Sequence, residues 1–142
     1  MKDELFLRGE NVPMTKEAVR ALALSKLELH RASHLIDVGA GTGSVSIEAA
    51  LQFPSLQVTA IERNPGAMGH LHPGGRLVMT FILQENLHSA LAHLAHIGAC
   101  RMDCVQLQLS SLTPLGAGHY FKPNNPVFVI ACQKEENHVR DI

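Results

Sequence analysis

Apolar residues follow two different spacings along this chain, and together they predict a succession of helices and strands. Spacings of three and four residues predict helices over residues 16–29, 44–52 and 85–97, the first of them with Thr15 as its N-cap. Short continuous or alternating apolar runs predict strands over residues 34–38, 57–61, 76–81, 105–110 and 126–131. Residues 111–125 are rich in Gly, Pro and Asn and are predicted to form a long loop.

The first two strands and the helix between them form a βαβ unit over residues 34–62. A glycine-rich turn follows the first strand of the unit, which is where nucleotide ligands bind in open parallel sheets. After Glu62 the pattern changes, because only 13 residues rich in Gly and Pro precede the next strand at Arg76. A crossover between parallel strands needs a dozen or more residues and usually a helix. This segment is therefore the anomaly of the sequence.

Length and charge restrict the class of protein. The chain has 142 residues, which is the size of one domain, and we assign residues 1–142 to a single domain. Its net charge of −1 argues against binding nucleic acid through a basic surface. No apolar run approaches the roughly 18 residues of a membrane-spanning helix, so we expect no membrane partner. Three cysteines without a secretory signal predict reduced thiols and a cytoplasmic location.

Four possible metal ligands lie close together in the sequence: His93, His96, Cys100 and Cys104. Gly98 interrupts any helix that would place them on one face, and zinc sites usually contain closer cysteine pairs. We therefore expect an exposed histidine-bearing helix followed by apolar thiols, and no metal site.

The candidate chemistry lies in the turn after the first strand. Three glycines alternate between Gly39 and Gly43, which lets a ligand approach the backbone without meeting a Cβ atom. The helix beginning at Ser44 directs free amide groups toward the same space. Glu62 ends the second strand, where a carboxylate can bind a ribose diol. With Asp37 two residues before the first glycine, this GxGxG pattern is similar to the first motif of class I methyltransferases, which bind S-adenosylmethionine.

Other segments carry a more specific resemblance. They are Pro13-Met14-Thr15-Lys16, IDVGAGTGSVSIEAA, AIERNP, LHPGGRLVMTFILQEN and a final NPVFVIA strand. In this order and spacing they resemble the cobalt-precorrin C15 methyltransferases (decarboxylating) of cobalamin biosynthesis. The resemblance implies an α/β, Rossmann-like three-layer sandwich that assembles as a homotetramer. It also implies methyl transfer from S-adenosylmethionine to C15 of a corrinoid, cobalt-precorrin-6B, with decarboxylation of the C12 acetate to give cobalt-precorrin-7.

Individual site residues follow from the same resemblance. It implies cofactor contacts by Thr15, by Glu62 and by the loop residues Gly39, Ala40, Gly41, Thr42 and Gly43. Methyl transfer from a sulfonium depends mainly on an in-line approach, so we name no catalytic acid or base. A polyanionic substrate favours nearby cations, for which the candidates are Lys16, Arg63, Arg76 and Lys122. The 111–125 loop is a candidate for covering substrate or for contacting a neighbouring subunit.

The resemblance also defines what this chain lacks. Relatives of this type have roughly two more βα units after the AIERNP-like segment, including a strand beside residues 35–38 and a glycine-rich substrate loop. We therefore predict an apparent internal deletion near residues 66–70, which leaves two strand edges unpaired. An unobserved segment, a true deletion and a reduced natural relative are the competing explanations. Two other functions remain open: methylation of another small molecule, and a truncated remnant without catalytic activity.

Overall fold

The computed structural model describes residues 1–6, 14–38, 41–61 and 72–135. They form three α-helices, seven strands and two short 3-10 helices at Asp3–Leu5 and Leu29–Arg31. The α-helices are α1 (Glu17–Leu27), α2 (Ser44–Gln52) and α3 (Gln84–His96). The strands are β1 (His34–Val38), β2 (Gln57–Ile61), β3 (Arg76–Phe81), β4 (Cys100–Leu107), β5 (Ser110–Leu115), β6 (Gly118–Pro123) and β7 (Val127–Gln133). No helix in these ranges is long and apolar enough to cross a membrane.

The strands that the structure describes belong to three separate sheets. β1 and β2 form a parallel pair, β3, β7 and β4 form an antiparallel sheet in that order, and β5 and β6 form a hairpin. The βαβ unit predicted from the sequence is confirmed, since β1, α2 and β2 have the predicted bounds. The β-strands predicted over 76–81 and near the carboxyl end are confirmed as β3 and β7.

Helices cover both faces of the antiparallel sheet. On one face, Leu87 and Leu94 of α3 pack against Ile130 and Cys132 of β7. Val129 and Ala131 alternate with these residues and are buried on the opposite face, where α1 lies against β3 and β7. This arrangement gives the three layers that the fold class predicts.

A second apolar cluster joins α1 and α2 to the parallel pair. Leu24 of α1, Ala49 of α2 and Leu35 of β1 are its buried centre, together with Leu29 and Leu56. α1 belongs to this cluster and also lies against β3 and β7, so it connects the parallel pair to the antiparallel sheet.

The 111–125 segment differs from the prediction. Instead of a long loop it forms the β5–β6 hairpin, in which Leu115 pairs with Gly118 across the two-residue turn Gly116–Ala117. Gly116 has φ +58, the sign that a type II′ turn needs at its first position. The loop prediction was wrong because it gave more weight to the Gly, Pro and Asn residues than to Thr113, Tyr120 and Phe121, which have high β-propensity.

α1 begins and ends differently from the prediction. Thr15 is not the N-cap, because the helix begins at Glu17 after Lys16, and Lys16 makes no side-chain capping bond. The helix ends at Leu27, and Glu28 follows with a left-handed φ of 52°. The Thr15 carbonyl instead accepts a 2.6 Å hydrogen bond from Arg20 Nη1, which holds this residue in extended backbone ahead of the helix.

A buried ion cluster connects α1, α2 and the amino-terminal residues. The Arg20 side chain is fully buried, with Nε 2.5 Å from Glu48 Oε2 and Nη1 2.8 Å from Asp3 Oδ1. The Met1 ammonium lies 2.6 Å from Glu48 Oε1. The Arg20 guanidinium also lies 4.7 Å from the centre of the Phe6 ring, a cation–π arrangement. Almost every polar atom of this cluster is thus paired.

Because of this cluster, the free energy of unfolding is expected to depend on pH in the acid range. Burial works to raise the pKa of Glu48, but hydrogen bonds from the Met1 ammonium and Arg20 outweigh it and hold the pKa below its ordinary 4.5. The contribution of the Glu48 carboxylate to the stability of the folded chain is therefore complete above about pH 4.5, and it is lost as pH falls through the folded-state pKa. In urea titrations at several pH values, Glu48→Gln should show a weaker fall in unfolding free energy below pH 4.5 than the parent. Equal slopes in the two proteins would contradict this account.

Candidate functional site

The candidate site begins where β1 ends and the chain turns into α2. Gly41 has φ +55 and Gly43 has φ +76, and in this left-handed region any other side chain is strained. Gly41 and Gly43, which the sequence indicated for a close ligand approach, therefore also provide the left-handed backbone that leads into α2. Gly39 and Ala40, two other predicted contacts, lie outside the described residues.

Asp37 fixes the geometry of this turn. Its Oδ2 atom accepts a 2.7 Å hydrogen bond from Ser46 Oγ, in the first turn of α2. Ser44 and Ser46 are both buried, and Gly43 caps the helix without a side-chain bond. The first amide groups of an α-helix have no partner within the helix. The Asp37–Ser46 bond thus holds the amino end of α2 against the end of β1. This end of the helix is the positive end of the helix dipole.

Thr42 carries an unsatisfied polar atom in the same turn. Its Oγ1 atom is buried and has no hydrogen-bond partner among the described residues. Buried hydroxyl groups without a partner are rare in native proteins, because losing the bond to water costs free energy. A polar ligand at the turn would supply the missing partner.

We expect Thr42→Val to stabilise the ligand-free chain by about 1–3 kcal/mol, since it removes, at nearly constant volume, a buried hydroxyl that has no partner among the described residues. Urea unfolding measures the change. Thr113→Val is the matched control, because Thr113 Oγ1 donates a 2.9 Å bond to the Ser111 carbonyl and the same substitution there breaks a bond. A less stable Thr42→Val would show that this hydroxyl has a protein partner.

Thr15 borders the same cavity as this turn, although it is distant in sequence. It lines a cavity of about 770 Å³ together with Asp37 and Val38 at the end of β1 and Val45 in the first turn of α2. Thr15, the end of β1 and the start of α2 therefore border one cavity, which also extends along β3. Glu62, predicted to bind a ribose, lies outside the described residues.

The three candidate substrate cations that the structure describes lie on separate elements. Arg76 lies at the amino end of β3, where its Nε is 3.1 Å from Glu28 Oε2 and 2.8 Å from the Lys26 carbonyl oxygen. Lys16 precedes α1 and Lys122 lies on the exposed β6 strand, while Arg63 is outside the described residues.

Sequence reasoning missed two residues that shape the site. Ser46 orients Asp37, and Arg20 holds the Thr15 backbone. Neither residue gives a strong signal in the sequence. Ser46 lies 9 residues from its partner Asp37, and Arg20 lies 5 residues from its partner Thr15.

The four possible metal ligands stay apart. His93 and His96 are on α3, whereas Cys100 and Cys104 are in β4, and the Cys100 thiol lies 3.4 Å from the Gln133 carbonyl oxygen. Within the described ranges, no three His, Cys, Asp or Glu side chains come close enough together to hold a metal ion.

Comparison with known proteins identifies relatives of the whole chain. A family model described as precorrin methyltransferase domain matches residues 6–70. The cobalt-precorrin-6B C(15)-methyltransferase (decarboxylating) of Salmonella typhimurium is 73% identical, with 100% of each chain covered. That match extends over 192 positions, 50 more than the 142 residues here, so about 50 positions of the relative have no counterpart in this chain.

Two solved structures show the same fold. The precorrin-6y C5,15-methyltransferase of Geobacter metallireducens has a TM-score of 0.79 at 22% identity and covers 94% of this chain and 97% of its own. The SAM-dependent O-methyltransferase of Thermotoga maritima has a TM-score of 0.68 at 12% identity, with 91% and 69% covered. The fold is thus the Rossmann-like methyltransferase fold, and with its 73% identical relative the chain belongs to the cobalt-precorrin-6B C(15)-methyltransferase (decarboxylating) family.

Proposed function

We propose that this chain binds S-adenosylmethionine at the turn between β1 and α2 and uses it to methylate a corrinoid. The observation that carries the proposal is the glycine turn itself. The Asp37–Ser46 bond fixes it against the amino end of α2, and the buried Thr42 hydroxyl in it has no partner among the described residues. These features fit a polar, nucleoside-bearing ligand, since an aligned helix end and an unsatisfied hydroxyl both favour polar groups.

The proposed cofactor contacts are those that the family resemblance implies. They are Thr15, Gly39, Ala40, Gly41, Thr42, Gly43 and Glu62. Thr15 lines the same cavity as the end of β1, and Gly41 and Gly43 present no Cβ atom at two positions of the turn. Glu62 follows β2, the parallel neighbour of β1, so the carboxyl ends of both strands lie at one edge of the sheet.

The proposed reaction is methylation of C15 of cobalt-precorrin-6B with loss of the C12 acetate carboxyl group as carbon dioxide, giving cobalt-precorrin-7. S-adenosylmethionine supplies an activated methyl group on its sulfonium. The residues of this chain contribute by holding the donor in one orientation, which lowers the entropic part of the barrier. No residue is assigned as an acid or base, because the methyl acceptor is a carbon of the conjugated substrate ring.

Replacing Glu62 by alanine should weaken binding of S-adenosylhomocysteine by about 1–3 kcal/mol, since a carboxylate that bonds both ribose hydroxyls is lost. Isothermal titration calorimetry measures the difference. Glu85→Ala is the matched control, because Glu85 is an exposed residue of α3. An affinity that does not change would remove Glu62 from the site.

The finer assignments of assembly and location are also proposals. The β5–β6 hairpin exposes Leu112, Leu115 and Phe121 to solvent at 62%, 63% and 68% of their surfaces. Leu112 and Phe121 lie opposite each other in the register, and exposed apolar residues on a hairpin favour a contact with another subunit. We propose a homotetramer, as the family resemblance implies, and a cytoplasmic location, which the three free cysteines favour.

Two alternatives are distinguished by activity. A methyltransferase for another small molecule would bind S-adenosylhomocysteine but would transfer no labelled methyl group to cobalt-precorrin-6B. A truncated remnant would do neither. Transfer of a labelled methyl group with release of carbon dioxide would support the proposed reaction, and cofactor binding without transfer would contradict the proposed substrate.

A further inference from the structure

A long opening separates the parallel pair from the antiparallel sheet. The cavity of about 770 Å³ is lined by all five residues of β1 on one side and all six residues of β3 on the other. β1 pairs only with β2, and β3 only with β7, among the strands that the structure describes. We call the space between these two strand edges the slot.

The register shows which backbone groups of β1 face the slot. The Gln57 amide donates to the Ser33 carbonyl at 3.0 Å, and His34 pairs with Gln57 in the parallel ladder. Odd-numbered residues of β1 therefore direct their amide and carbonyl groups toward β2, because these groups alternate sides along a strand. The groups of His34, Ile36 and Val38 point the other way, toward the slot.

The same argument applies to β3. The Lys134 amide donates to the Gly75 carbonyl at 2.8 Å, and Arg76 lies opposite Gln133. Odd-numbered residues thus exchange hydrogen bonds with β7. The backbone groups of Arg76, Val78 and Thr80 face the slot, so two rows of donors and acceptors face each other across it.

The amino ends of β1 and β3 lie near the same part of the fold. Arg76, the first residue of β3, contacts Glu28 and the Lys26 carbonyl at the carboxyl end of α1. From Glu28 the chain continues through a short 3-10 helix to the first residue of β1. The amino ends of β1 and β3 therefore lie at the same end of α1, and a strand added between them would meet both edges.

We propose that the slot binds one extended segment of a separate polypeptide as a central β-strand, and that this segment belongs to the roughly 50 positions that the Salmonella typhimurium relative has and this chain lacks. Unpaired edges bind extended peptides through main-chain hydrogen bonds. Here two edges are available, so one added strand gains two ladders. The proposal depends on the fold and on family membership, and it does not require cofactor binding.

Amide exchange measured by NMR tests the proposal directly. In the free chain, the amides of Ile36 and Val78 should exchange at least about tenfold faster than their neighbours Leu35 and Leu77, which bond to β2 and β7. The probe is the stretch of the Salmonella typhimurium relative without a counterpart here, produced as a separate polypeptide. Its addition should slow exchange at the slot-facing amides by at least about tenfold and leave the others unchanged.

Substitutions in β1 separate strand pairing from non-specific association. Ile36→Pro removes one slot-facing amide and leaves the β2 ladder intact, so affinity for the probe should fall about tenfold. Ile36→Val keeps every backbone group and should bind as the parent does. Val78→Pro repeats the test on β3 if Ile36→Pro does not fold.

Three outcomes would overturn the proposal. One is equal protection of odd and even amides in the free chain. Another is protection that depends on the concentration of this chain alone, which would show a second copy in the slot. The third is binding of the probe without protection of the slot-facing amides. Binding of S-adenosylhomocysteine is measured separately, so a failure of the cofactor proposal leaves this result unaffected.

Discussion

Replacing Arg20 by methionine is expected to lower the free energy of unfolding by about 3–5 kcal/mol, the usual cost of removing one partner from a buried ion pair. The side chain is fully buried and its guanidinium contacts Glu48, Asp3 and the Thr15 carbonyl. Methionine fills much of the same volume, but among the described residues it leaves the buried Glu48 carboxylate with the Met1 ammonium as its one cation, beside the Gln52 side-chain amide. Urea unfolding followed by circular dichroism measures the loss.

Lys26→Met provides the matched control for this prediction. Lys26 pairs with Asp103, whose side chain is 51% exposed, and exposed pairs contribute about 0–1 kcal/mol. Equal losses in the two variants would show that burial does not determine the contribution of these ion pairs.

Ile130→Ala is expected to cost about 2–5 kcal/mol, because the substitution leaves a cavity in a packed core. Ile130 is fully buried in β7, the central strand of the antiparallel sheet, and packs against Leu87 and Leu94 of α3. It therefore joins the sheet to the helix that covers it. Urea unfolding again measures the change.

Ile82→Ala is the matched control, because it makes the same isoleucine-to-alanine change at an exposed position. Ile82 is 62% exposed just after β3, and surface substitutions usually change stability by within about 0.5 kcal/mol. A loss at Ile130 no larger than the loss at Ile82 would contradict the described core.

The βαβ unit could be predicted because its signals are local. Buried apolar runs, the glycine turn and the amphipathic helix predicted the bounds of β1, α2 and β2, and Asp37 and the glycines indicated the site by their spacing alone. The family followed from motifs in order, and it is confirmed by the 73% identical relative.

Features that depend on distant partners could not be predicted. From the sequence alone, Arg20 would be predicted to lie on the exposed side of its helix. The structure buries it beside Glu48, which is 28 positions away. The β5–β6 hairpin depends on cross-strand pairing that outweighs its turn-rich composition. The slot could not be predicted either, because it depends on how the two sheets lie relative to each other. The short segment before Arg76 indicated only that strands were missing.

The central claim is that this chain retains a working cofactor site at the end of β1. Titration of the purified 142-residue protein with S-adenosylhomocysteine in a calorimeter tests it most directly. We predict saturable binding of one ligand per chain with a dissociation constant of about 1–100 μM, equivalent to roughly 5–8 kcal/mol of binding free energy. No binding at millimolar ligand would contradict the claim and would favour a remnant that keeps the fold without the function.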